Sequence, residues 1–278
     1  MTYPPLHHRH LYQELQQPAD QVNLARAALY LAQEEYPDLS VPFYLSQLDT
    51  LARNLGRRLP SDRYPLRLIR GINDYLFDHL GFAGNDGDYY DPRNSFLNEV
   101  LRRRLGIPLT LSLVYLELAQ RVGLAMAGVG LPGHFLIRPT GQDLGVFVDP
   151  FHQGEILFEQ DCQALLHQLF GDKAPLDPRH LEPVRPIAWI LRMLSNLKMI
   201  YLNQHQRSKA LAAIDRILLI QPTAVSEWRD RGLIYYQDGD LESARLNLER
   251  YLYQYPEASD GLEIRQVITQ IEQQRGER

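Results

Sequence analysis

Residues 194–222 and 228–256 match one another at a spacing of 34 positions, as between Leu194 and Trp228. Leu197 then aligns with Arg231, Tyr201 with Tyr235, Ala210 with Ala244, Ile214 with Leu248, Ile217 with Tyr251 and Pro222 with Pro256. A recurrence of this length is one supersecondary unit used twice, and such a unit buries its apolar face only by stacking on a neighbour. The small residues Ala210 and Ala244 predict two helices crossing closely, and each proline follows the end of a second helix. Two copies are fewer than a free-standing solenoid needs. The segment GLEIRQVITQIEQQR at 261–275 is therefore expected to cap one end, and the preceding domain to cover the other.

This order of large, small, aromatic, alanine and proline residues resembles the tetratricopeptide repeat. The second copy carries that family's glycine at Gly232, whereas the first has Lys198 there, where a looser helix contact is expected. The resemblance implies a concave surface for a protein or peptide partner, to which Tyr201, Trp228, Arg229, Arg231 and Tyr235 contribute. Trp228 and Tyr235 also suit the repeat core.

A chain of 278 residues, 45% hydrophobic, can bury a sizeable core and is more comfortable as two domains than one. Its formal charge of -5 gives no footprint for nucleic acid, and the basic run Arg102–Arg104 reads as a solvated helix face. The first residues, MTYPPLHHRHLYQELQQP, lack an apolar signal region, and no segment has the roughly eighteen uninterrupted apolar residues of a membrane span. A soluble, cytoplasmic protein without membrane insertion is expected. The lone cysteine, Cys162, excludes an intramolecular disulfide and any multi-cysteine metal site.

Residues 1–18, with Pro4, Pro5, Pro18, His7, His8 and His10, lack apolar periodicity and are expected to form a flexible arm. Helical spacing follows in VNLARAALYLAQEEYP, VPFYLSQLDTLARNL, PLRLIRGINDYLFDHLGF and SFLNEVLRRRLG. The stretch PLTLSLVYLELAQRVGL has no broad polar face and predicts a helix buried in mid-domain, with Pro108 at its first position. Beyond Gly123, the runs AMAGVGL, HFLIRP, LGVFVDPF and EILF read as strands, and EQDCQALLHQLFG as a helix. The expected organisation is an arm over 1–18, a domain over 19–175, a linker over 176–186 and repeats with a capping helix over 187–278.

HFLIRP-TGQD-LGVFVD reads as a hairpin. A symmetric register pairs Pro139 with Leu144 and sets His134 opposite Asp149, with Cβ atoms about 4.5–5.5 Å apart. That spacing suits an imidazole oriented by a carboxylate, as in nucleophilic triads. The same residue types serve equally as turn and hydrogen-bonding devices.

A buried helix behind a glycine, then a Gly-His strand, then a strand ending in Asp-Pro resembles the transglutaminase-like, papain-like fold, an α+β architecture. In that superfamily a cysteine opens the helix in a segment like Gly-Val-Cys. Gly106, Ile107 and Pro108 match that segment, so Pro108 stands at the nucleophile position. EEYPDL, NSFLNEVLRRRLGIPLTLSLVYLELAQRVGL, GVGLPGHFLIR and VDPF together resemble the SirB family of the first type, which joins a type-two transglutaminase-like core to tetratricopeptide repeats.

With proline at position 108, other nucleophiles must be weighed. On a helix Thr110 is turned about 200° from Pro108, and Ser112 only about 40° but one turn deeper. Both hydroxyls are expected to bond a carbonyl one turn back. Cys162 lies near a helix start, which would lower a thiol pKa, although Glu159 and Asp161 oppose that. His134, Asp149 and His152 have the residue types of a transition-metal site, but Asp149 and His152 straddle Pro150 and nothing in the spacing requires convergence. No metal or cofactor is expected. The resemblance thus implies a non-catalytic binding or regulatory protein with a degenerate site. The alternative is an amide hydrolase or acyl transferase using Ser112 or Cys162 with His134 and Asp149.

Overall fold

The computed structural model describes residues 9–141 and 144–276, in two compact units, Met1–Ile190 and Leu191–Arg278. Arg9–Leu15 form a helix, α1, with Leu11 and Leu15 buried, so the arm expected over 1–18 is ordered from residue 9; residues 1–8 lie outside the described residues. The reason is a tertiary contact. The buried Glu14 carboxylate accepts the Asn23 N–H at 2.7 Å and pairs with Arg26 at 3.4 Å, holding α1 against the next helix, α2 (Leu24–Ala32).

Helix starts are fixed by local chemistry. The Asn23 side chain accepts the Arg26 N–H at 2.8 Å, and Ser40 caps α3 (Val41–Gly56) through the Phe43 N–H. The third predicted helix is α4 (Pro65–Asn73), which passes into a π-helical turn, Asp74–His79. Two short strands, β1 (Ala83–Gly84) and β2 (Leu105–Gly106), pair in parallel around α5 (Leu97–Arg103), whose last turn ends on Arg104 in the left-handed region, φ 59°.

Helix α6 (Pro108–Arg121) is the buried helix predicted, with Pro108 through Tyr115 all buried. It packs against α3, against strands β3 (Met126–Val129) and β4 (Leu136–Pro139), and against the turn Pro150–His152. Tyr115 ties it to α4 by donating its hydroxyl to Ile69 O at 3.2 Å and Asn73 Oδ1 at 2.9 Å. The four predicted strands form one antiparallel sheet in chain order, completed by β5 (Phe147–Asp149) and β6 (Glu155–Leu157). Helix α7 (Glu159–Phe170) closes a core of Val129, Leu131, Leu136, Phe147, Leu157, Cys162, Leu166 and Leu181. At Gly128 a Cβ would stand 2.2 Å from the Trp189 ring, which itself lies 4.4 Å from that of Phe135; no side chain fits there.

The proline-containing stretch expected as a linker over 176–186 is packed rather than free. Leu181 joins the core, Val129 bridges Pro183, and the Val184 N–H donates to Gly128 O at 2.8 Å.

Helix α8 (Pro186–Asn203), whose residues from Leu191 onward belong to the second unit, and α9 (Arg207–Ile220), α10 (Val225–Gln237) and α11 (Leu241–Gln254) follow the 34-residue period, and α12 (Gly261–Gly276) packs on α11. A Cβ on Gly232 would meet Leu248 at 2.7 Å and the Ala244 carbonyl at 3.2 Å, so small residues on both helices permit the close crossing. Lys198, at the corresponding place in the first repeat, is buried. Its Nζ donates to Glu227 at 2.7 and 2.9 Å and to Asp230 at 2.9 Å, so an ion cluster links α8 to α10 of the following repeat.

Candidate functional site

His134 follows the Pro132–Gly133 turn, where Gly133 takes φ 73° and the His134 N–H closes back on Leu131 O at 3.2 Å. Asp149 ends β5 and caps the turn that Pro150 begins. Its Oδ1 accepts the N–H groups of Phe151 at 3.0 Å and His152 at 3.3 Å.

The other oxygen, Oδ2, lies 2.7 Å from His134 Nε2 and 2.8 Å from His152 Nδ1. Two imidazoles therefore converge on one carboxylate oxygen, their rings stacked at 5.7 Å and 26°. Phe151 stands edge-on to His134 at 6.2 Å. Asp149 and His134 are buried, whereas the His152 side chain is half exposed.

The contact arises by a different register from the symmetric one. Ile137 pairs with Val148, so one step along the ladder places Leu136, not His134, opposite Asp149. A shift of two residues keeps each side chain on its face of the sheet, and a diagonal neighbour about 7–8 Å away stays within reach of a long side chain. His152 enters the site across Pro150. The i, i+3 spacing of Asp149 and His152 was the available signal, and the short helical turn that Asp149 caps brings their side chains together.

Burial is the largest influence on the Asp149 carboxyl and pushes its pKa up. The hydrogen bond and charge of His134, then those of His152, outweigh it, and the group titrates below its ordinary 3.8. Beside it opens a cleft of about 360 Å³ lined by Asp149, His152, Glu155, Asp161, Leu165 and Gln168.

The candidate nucleophiles are placed otherwise. Pro108 is the first residue of α6 and is buried. The Thr110 hydroxyl donates to Asn94 O at 2.7 Å and accepts the Ile107 N–H at 3.2 Å, and it also reaches Ile107 O at 3.3 Å. Ser112 does not make the expected bond to a carbonyl one turn back. Its buried Oγ has no hydrogen-bond partner among the described residues, and so is not bonded to the His134 ring. Cys162 is wholly buried in the apolar core beneath the sheet. Burial, then Asp161, Glu159 and Asp149, push its thiol up to about 12, opposite to the lowering that a helix start would give.

On the repeats, Tyr201 is buried and belongs to the core. Trp228 is half-buried between two guanidinium groups, Arg231 at 4.4 Å and Arg250 at 3.8 Å from its ring centroid. Arg229 pairs with Asp230 and Asp260, both at 2.8 Å, and Arg231 with Asp215 at 2.6 Å and Asn247 at 2.7 Å. Tyr235 packs partly buried against the core of Ala244, Leu248 and Tyr251. No helix among the described residues is long and apolar enough to cross a membrane.

Residues 43–195 match the model of the transglutaminase-like superfamily, and residues 197–269 match that of the tetratricopeptide repeat. A UPF0162 protein of Xylella fastidiosa is 38% identical over 241 residues, covering 84% of each chain. A UPF0162 protein of Pseudomonas aeruginosa is 30% identical over 248 residues, covering 89% of this chain and 90% of that one. Human F-box only protein 21 is 31% identical over 184 residues, which are 55% of this chain and 29% of that protein. No solved structure matches the chain. Repeats of tetratricopeptide type indicate protein partners, and the two matched regions follow one another in the order that the motifs around Pro108, His134 and Asp149 imply. The chain belongs to the SirB-like UPF0162 family, a transglutaminase-like core followed by tetratricopeptide repeats.

Proposed function

We propose that this protein is a non-catalytic, regulatory protein-binding module in which the transglutaminase-like site has lost acyl transfer and serves recognition. The observation that carries this reading is the state of the three candidate nucleophile positions. Pro108, which the resemblance sets in the cysteine's place, carries no nucleophilic atom, the buried Ser112 hydroxyl has no hydrogen-bond partner among the described residues, and the Cys162 thiol is buried and pushed up to about 12. Covalent catalysis needs a nucleophile within hydrogen-bond reach of its base. The repeats supply the partner surface, with Trp228 and its flanking arginines as the large, half-buried anchor.

The test exposes the full chain to electrophilic serine and cysteine probes and to acyl donors, with intact-mass readout beside His134→Ala. No adduct above the variant's level is expected. An adduct on Ser112 or Cys162 that disappears in His134→Ala overturns the reading in favour of an amide hydrolase or acyl transferase.

A further inference from the structure

We propose that His134, Asp149 and His152 form a three-ligand site for a first-row divalent metal ion, with zinc as the best fit. Their candidate ligand atoms, one from each residue, all lie within 4.8 Å of one another. Two neutral imidazoles and one carboxylate are the donor set that zinc and its neighbours take.

The orientation is more specific than the residue types. His134 presents Nε2 and His152 presents Nδ1, and both point at the same atom, Asp149 Oδ2, at 2.7 and 2.8 Å. Ligands about 2.0–2.1 Å from a tetrahedral zinc ion stand about 3.3 Å apart, so admitting the ion needs each nitrogen to move out from Oδ2 by about half an ångström and the two nitrogens to close toward one another from within 4.8 Å. The carboxylate is already held for one-oxygen coordination. Its Oδ1 is committed to the N–H groups of Phe151 and His152, which fixes the group's rotation as outer-shell hydrogen bonds do around metal ligands.

Access and charge agree with this assignment. Asp149 and His152 line the cleft of about 360 Å³, so a fourth position on the ion faces it and takes water or a carboxylate oxygen. Glu155 and Asp161 line the same cleft and favour a cation there. The site shares His134 and Asp149 with the recognition reading but needs neither a nucleophile nor the repeats.

The full chain carrying His7→Ala, His8→Ala and His10→Ala, which removes the N-terminal histidine cluster, is stripped with chelator and titrated with cobalt(II). One equivalent per chain is expected, with visible d–d absorption, displaced by one equivalent of zinc. His152→Ala, at a half-exposed position, is expected to keep its circular dichroism spectrum and weaken cobalt binding by at least about tenfold. Asp149→Asn is expected to weaken it at least as much. Absence of a saturable one-to-one cobalt complex overturns the assignment. So does cobalt affinity unchanged in the folded His152→Ala chain.

Discussion

Lys198 on α8 and Glu227 on α10 form a buried ion pair, Nζ to Oε1 at 2.7 Å, with each side chain 8% exposed. It stands at a position that is glycine in the second repeat. Burial lowers the Lys198 pKa most, but the bonds to Glu227 and Asp230 more than restore it, and the ammonium stays charged. Removing one member strands the other. Lys198→Met is expected to destabilise the chain by about 3–5 kcal/mol, whereas Lys198→Met with Glu227→Leu recovers most of that loss. Urea denaturation of both variants checks this, and equal losses in the two would refute the pairing argument.

The two hydroxyls of α6 should separate cleanly on mutation. Thr110→Ala strands the Asn94 carbonyl and the Ile107 N–H and is expected to cost about 1–3 kcal/mol. Ser112→Ala removes a hydroxyl that has no hydrogen-bond partner among the described residues, so it is expected to be neutral or to stabilise by about 1 kcal/mol. Denaturation midpoints decide, and a large loss for Ser112→Ala would point to a partner that Ser112 acquires in solution.

Cys162 should behave as an inert thiol. With its pKa pushed up to about 12, the folded chain holds few thiolates at pH 8. The thiolate fraction is on the order of a thousandfold below that of a free cysteine, whose pKa is about 8.5. Iodoacetamide labelling followed by mass spectrometry is expected to be slow in buffer and rapid in denaturant. Rapid labelling of the native protein is the contrary result.

Acid should reach the first unit through Asp91. Burial raises its pKa most, but the Arg93 side chain and N–H, and then the Arg103 charge, outweigh it and hold the carboxyl below its ordinary 3.8. A carboxylate depressed on folding contributes stability that is present above the unfolded value and is lost as pH falls through the folded one. The stability gap between wild type and Asp91→Asn is therefore expected to be full at neutral pH and to shrink below pH 3.8. Denaturant titrations at several pH values measure it, and a gap independent of pH would remove Asp91 as the cause.

Much of this protein was legible because its signals are local. Apolar spacing marked α2 through α7, alternation marked β3 to β6, and the 34-residue recurrence marked the repeat helices. The meeting of His134 with Asp149 was also legible, because side chains alternate along a strand and a two-residue error in register leaves them on one face. Pro108 could be placed at the start of a buried helix from sequence alone.

Tertiary structure decided what depends on which surfaces meet. It ordered α1 through Glu14, turned His152 onto the oxygen that His134 already holds, and set Lys198 against Glu227 of the next repeat. It also left Ser112 without the carbonyl bond that its helix offered. Sequence periodicity specifies which face of an element is apolar. The direction of a single polar side chain is chosen by partners tens of residues away, where the cost of burying an unpaired group selects among packings that the periodic pattern leaves equal.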